Sequence, residues 1–200
     1  MGTRFIGIAL VALVLTASAY ADVVFVPGVG SLPNPENIMF NTNQMGTTIN
    51  GFTDISDTKV VFTSAQTLVV STGQPNVGAA SGLINIITIQ VPGHTFEGLI
   101  INPFNPTQNG DLIVTAITNN LPPRSTGYGS AGVGNPLTIT ATGGGTTVIE
   151  EITISSVGGF QSLSESVSIS GVTVIPEPSS MLLLASGVLG LAQVLRRNLM

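Results

Sequence analysis

Leu137-Thr138-Ile139-Thr140-Ala141-Thr142, Gly143-Gly144-Gly145, then Thr146-Thr147-Val148-Ile149-Glu150-Glu151-Ile152-Thr153-Ile154-Ser155: this stretch decides the fold. Apolar residues alternate with threonines, a glycine run turns the chain, and a second alternating run follows. A period of two is the mark of a strand with one face buried, and β-branched Thr, Val and Ile favour that conformation. In the second run Val148, Ile152 and Ile154 share one face, with Thr147, Glu151 and Thr153 on the other. The alternation breaks at the centre, where Glu150 falls on the apolar face and Ile149 on the polar one. The pattern then puts Glu150 at the rim, or on an edge strand whose inward charge blocks aggregation.

Outward from there the pattern persists. Ser166–Val174 carries Val167 and Ile169, then Val172 and Val174 after a change of parity at Ser170-Gly171, which reads as a bulge. Upstream, strands are expected at Val23–Val26, Asn37–Thr42, Thr47–Asn50, Lys59–Thr63, Thr67–Ser71, Leu83–Val91, Thr95–Asn102 and Asp111–Thr118. A further short strand is a candidate at Asn76–Ala79. The Asn37 and Thr47 segments are expected to pair around Asn43–Gly46. Gly28–Pro35 reads as a loop, Pro92-Gly93 as a turn, and Asn119–Asn135 as the longest irregular stretch. No window between the two ends has the periodicity of an amphipathic helix. Roughly ten short strands at this spacing predict an all-β fold, an antiparallel β-sandwich of jelly-roll type, with a barrel as the lesser alternative.

The two ends differ from this middle. Met1–Arg4 carries one positive charge, Phe5–Leu15 is apolar, and Ala19-Tyr20-Ala21 fits the small-x-small rule for signal peptidase. Residues 1–21 are therefore expected to be a signal helix, with Asp22 starting the mature chain. Ala17-Ser18-Ala19 is an alternative cut. At the other end Met181–Leu195 carries no charge and would span about 22 Å as a helix. That is short for a membrane core of ~30 Å, but Ser179 and Ser180 extend it on one side and Arg196 and Arg197 can snorkel on the other. Its apolar residues surround the helix, as burial in lipid requires. The paired arginines at the extreme end fit a cytoplasmic terminus, leaving the upstream domain outside. A membrane helix is expected at about 179–195, in contact with membrane lipid, with 196–197 as its basic end. Pro176 and Pro178 hold the entry to it extended.

Ile175-Pro176-Glu177-Pro178-Ser179-Ser180, an apolar helix and Arg196-Arg197, in that order at the C-terminus, resemble a PEP-CTERM sorting signal. The resemblance covers residues 176–200 and implies several things. The chain would be exported through the inner membrane of a Gram-negative bacterium, held there transiently, and passed to the cell surface or beyond. Its tail would be taken up by exosortase, an integral-membrane protease-transpeptidase, with Pro176, Glu177 and Pro178 as the sorting motif. Family members are associated with exopolysaccharide and biofilm. The middle, 22–175, more loosely resembles β-rich domains found on such proteins, in Asn37–Asn41, Gly46–Gly51, Thr95–Glu97, Gly159–Leu163 and Ile169–Val172.

The middle domain, about 150 residues, is long enough for a sizeable core without cross-links. The chain contains no Cys, which removes thiol catalysis, Cys-ligated zinc and disulfides. Nine acids stand against two bases, Lys59 and Arg124, in residues 22–175, a balance of −7. Such a surface does not hold nucleic acid through its phosphates. His94 is the only histidine, within Pro92–Glu97, and reads as a solvated turn residue; no G-x-S-x-G elbow is present. Asp54 and Asp57 are weak candidates for a calcium site, short of the six to eight oxygens calcium takes. Glu150 and Glu151 point to opposite faces of a strand and cannot serve one site together. Tyr128, beside Arg124, is the one tyrosine of the middle able to stack on a sugar. The resemblance implies an exported surface or matrix protein, structural or exopolysaccharide-associated, and the sparse supply of His and clustered acids adds the expectation of no catalysis and no cofactor. The alternative is a glycan- or calcium-binding module on the same scaffold.

Overall fold

The computed structural model describes residues 22–104, 112–128, 135–143, 146–164 and 167–175. The expected signal helix and membrane helix lie outside these residues. Sixteen strands are described: β1 Asp22–Pro27, β2 Glu36–Met39, β3 Gln44–Thr53, β4 Lys59–Val70, β5 Val77–Ala79, β6 Ile84–Gln90, β7 His94–Thr95 and β8 Gly98–Ile101, followed by β9 Pro103–Phe104, β10 Leu112–Thr118, β11 Arg124–Tyr128, β12 Leu137–Thr142, β13 Ile149–Phe160, β14 Ser162–Leu163, β15 Ser168–Ser170 and β16 Thr173–Val174. Among the described residues there is no helix, and none long and apolar enough to cross a membrane.

The all-β antiparallel expectation holds, and the layering differs from two separate sheets. Fourteen strands form one sheet in the order β1-β12-β8-β15-β2-β3-β4-β6-β13-β10-β11, with β5, β9 and β14 attached beside it. The sheet doubles over at β2, which pairs with β15 on one side and β3 on the other. Corners at both ends tie the two halves together. Phe96 bridges Ile149, and β9 pairs with β14, so the chain of β8 reaches into the opposite half through Asn102. The result is a nearly closed, flattened barrel. Its outermost strands, β1 and β11, meet in an ion pair between Asp22 and Arg124 (3.1 Å).

One apolar core fills the barrel, drawing on residues from Val23 to Ile169. Across the wide half, Ile49, Phe62, Ile89, Ile152 and Ala116 fall opposite one another and are fully buried. Phe40 and Phe62 meet with ring centres 5.7 Å apart. The outward face alternates with it, as a half-solvated antiparallel sheet should. There Thr48, Thr63, Thr88, Thr153, Thr115 and Ser125 form an unbroken row of hydroxyls across six strands.

Several boundaries move. Lys59–Thr63 and Thr67–Ser71 are one strand, β4, since Ser64 fits the buried face by donating its hydroxyl to the Ile86 carbonyl at 2.7 Å. Thr95–Asn102 is instead interrupted at Phe96 and Glu97, where the chain turns the corner to Ile149. The Asn37–Thr42 and Thr47–Asn50 segments do not pair around Asn43–Gly46: β2 meets β3 further on, at Ile38–Thr53 and Met39–Phe52, while Thr48–Asn50 pair with β4. Asn119–Asn135 contains a strand, β11. Glu150 lies exposed at the rim, at the start of β13, but its strand is not an edge: β13 lies between β6 and β10, and its pairing with β10 skips Glu150. That bulge turns Glu150 outward and drives Ile149 into the core. At Ser170-Gly171 the parity change marks a strand end instead, because β15 and β16 belong to different sheets. Finally, Gly28–Pro35 folds back over the outer face of the narrow half. Thr138 bonds the Gly28 carbonyl and the Gly30 N–H, and Leu32 is buried against Gly98, whose missing side chain makes the room.

Candidate functional site

The register locates both ends of the domain. Asp22 is opposite Thr142, and Ala141 donates its N–H to the Glu97 carbonyl, while Glu97 donates to Ser170. β16 then pairs with β7, Thr173 opposite Thr95 and Val174 opposite His94. Thus β1 starts and β16 finishes at one pole of the barrel. Asp22 is the residue expected to follow signal-peptide removal, and it lies in strand β1. Its backbone is fastened there: Asp22 N–H donates to Thr142 Oγ1, whose hydroxyl donates back to the Asp22 carbonyl.

The departing chain is held more loosely. The Thr95 and Thr173 hydroxyls lie 3.0 Å apart, and Ile175 N–H donates to the Gly93 carbonyl at 2.9 Å. Gly93 sits at φ +72°, and His94 N–H closes the turn onto the Val91 carbonyl, as the Pro92-Gly93 pair leads one to expect. Two residues before β16, Gly171 has φ +63°, and a Cβ there would lie 2.6 Å from Glu97 Cγ. Only glycine fits that corner without strain.

Charge gathers at the same pole. Asp22, Glu36, Asp54, Asp57, Lys59, His94, Glu97, Arg124, Glu150 and Glu151 all lie at strand ends or turns on this side. They account for every ionisable side chain among the described residues, apart from Tyr128. Seven acids face two bases, a balance of −5. Asp54 accepts from Asn37, by its N–H and its side-chain amide, each at 3.0 Å. Asp57 sits at φ +53° in the β3–β4 turn. Glu36 accepts from the Ser56 N–H and hydroxyl. Burial works against ionisation of Glu36, but these bonds from Ser56, helped by Thr53 and Ile55, outweigh it and hold its carboxyl below the usual glutamate range. The acids of this corner therefore staple β2 to the β3–β4 turn. No three His, Asp or Glu side chains come together as metal ligands among the described residues. His94 Nδ1 lies 2.9 Å from the Pro92 carbonyl, tied into its own turn. Glu151 accepts from the Gln90 amide and the Thr153 hydroxyl.

At the opposite pole, an open cleft of about 290 Å³ is lined by Val69, Ser71, Gln74, Asn76, Gln161 and Ser162, among others. Its polar groups are neutral amides and hydroxyls. The residues of the expected sorting motif (Pro176, Glu177, Pro178), the basic end (Arg196, Arg197) and the signal cleavage site (Ala19, Ala21) lie outside the described residues. The pole from which the chain leaves toward the motif was not foreseeable, since it depends on pairing between segments about 80 residues apart, where local pattern is silent.

Residues 174–197 match the family model of the PEP-CTERM protein-sorting motif. No curated protein and no solved structure matches the chain. The match implies an exported protein of a Gram-negative bacterium, sorted at the membrane, with exosortase as its processing partner.

Proposed function

We propose that the protein is a structural component of the cell surface or extracellular matrix. Its barrel is cargo without catalysis of its own, delivered by removal of the signal peptide and exosortase processing of the tail. The observation that carries this reading is the sorting-motif match at residues 174–197. The dispersal of the acids into hydrogen-bond staples supports a scaffold over an enzyme, since a reaction needs polar groups convergent on one point.

A second reading, a glycan-binding module, draws on the cleft at the far pole. Neutral amides and hydroxyls suit the hydroxyls of an uncharged sugar, and the cleft faces away from the departing tail. Calorimetry of the protein against a glycan panel separates the two: heat that vanishes in Gln74→Ala and Gln161→Ala favours binding, and its absence with every glycan favours the scaffold. For sorting, Glu177→Ala and Pro178→Ala are expected to leave uncleaved precursor in the membrane. Normal maturation of both variants would defeat the role given to the tripeptide.

A further inference from the structure

We infer that β16 is a latch: the first residues of the sorting segment are folded into the barrel, and β16 must leave β7 before the processing enzyme closes on the motif. This rests on the exosortase reading above. The matched segment begins at Val174, which is the second residue of β16 and pairs with His94. Ile175 is bonded to the Gly93 carbonyl, and Pro176 follows directly. No linker separates fold from motif. An extended chain advances at most about 3.6 Å per residue, so Glu177 lies within ~7 Å of Ile175 while the latch is closed. A cleft surrounding the tripeptide would then strike the Pro92–His94 turn. Freeing Thr173–Ile175 adds about 10 Å of reach.

The attachments of β16 suit such a release. It forms a two-strand ribbon with β7, apart from the fourteen-strand sheet. Ribbons of this size are marginal on their own. Val174 is 69% exposed and Ile175 43%. Just upstream the anchoring changes abruptly, since Ser168, Ile169 and Ser170 are buried and Val172 packs against the core. Gly171-Val172 is therefore the hinge, with β15 as the fixed side. Opening there exposes little apolar surface, so it is drawn from the low-energy end of local unfolding.

The test uses the full-length chain in its native host. Thr95→Cys with Thr173→Cys places two thiols directly opposite, on hydroxyl positions 3.0 Å apart, in a protein with no other cysteine. Adjacent strands fall within the span a disulfide bridges. The expected result is precursor that has lost residues 1–21 and keeps its tail, processed at least ~10-fold more slowly than wild type, with processing restored by reductant and normal in each single variant. A disulfide-bonded double variant that loses its tail at the wild-type rate would overturn the latch. Amide exchange of the purified precursor gives an independent reading. Ile175 is expected to exchange on the order of 100-fold faster than Ile169, and equal protection at the two would also overturn it. If wild type itself keeps its tail, the sorting reading fails, and the exchange experiment alone decides the latch.

Discussion

Ser168–Ser170 and Thr173–Val174 lie two residues apart and have similar chemistry, β-branched residues among hydroxyls, yet the fold treats them oppositely. The first is a central strand, flanked by β8 and β2 and buried throughout. The second is an exposed half of a small ribbon. What separates them is Gly171, whose left-handed backbone sends the chain out of the sheet. Strand propensity is the same on both sides; neighbours decide how firmly each is held. That contrast divides the molecule into a rigid barrel and a releasable exit, and mutations probe the division in order of expected effect.

Ile169→Ala should be the most damaging, removing a fully buried side chain at about 2–5 kcal/mol. Urea unfolding of the purified protein measures it, and a loss below ~1 kcal/mol would mean that β15 is not the fixed side. Gly171→Ala comes next, at roughly 1–3 kcal/mol, from the left-handed φ and the collision with Glu97. An unchanged unfolding midpoint would mean that the hinge tolerates a side chain. Smaller still is the Glu36 staple. Its folded carboxyl titrates below the unfolded one, so its contribution is present above the ordinary glutamate range and is lost as pH falls through the folded value. The stability gap between wild type and Glu36→Gln should therefore close on acidification; a gap that widens would reverse the sign. Arg124→Ala breaks an ion pair whose partners are each about half exposed, and should cost under ~1 kcal/mol, less in high salt. Last, Val174→Ala on the exposed ribbon should move stability by no more than ~0.5 kcal/mol. A cost like that of Ile169→Ala would erase the contrast between β15 and β16.

Much of the barrel was legible in the chain because one-sided burial imposes a period of two, clean in Leu112–Thr118. Where the reading slipped, a local pattern met a distant partner. The misplaced Glu150 was visible as a break in alternation, but its cause, a bulge against Thr118, depends on a strand more than thirty residues away. Ser64 looked like a gap between strands because a serine is polar; the Ile86 carbonyl that satisfies it came from another strand. Strand β11 hid among Pro122, Pro123 and glycines, and is recognisable only beside β10. The sorting tail was legible for a different reason. Its parts are adjacent in sequence, so order and spacing suffice. The exit that presents it was not, since β7 and β16 are joined by folding alone.

The most direct test of delivery by tail sorting is mass spectrometry of the protein from its native host, with cell-bound and shed fractions kept apart. The account predicts a chain that begins at Asp22 and ends near Pro176–Ser180, recovered from the surface or the medium. A chain intact through Met200, confined to the membrane fraction, would contradict it and leave a plain single-span anchor in place of a sorting signal.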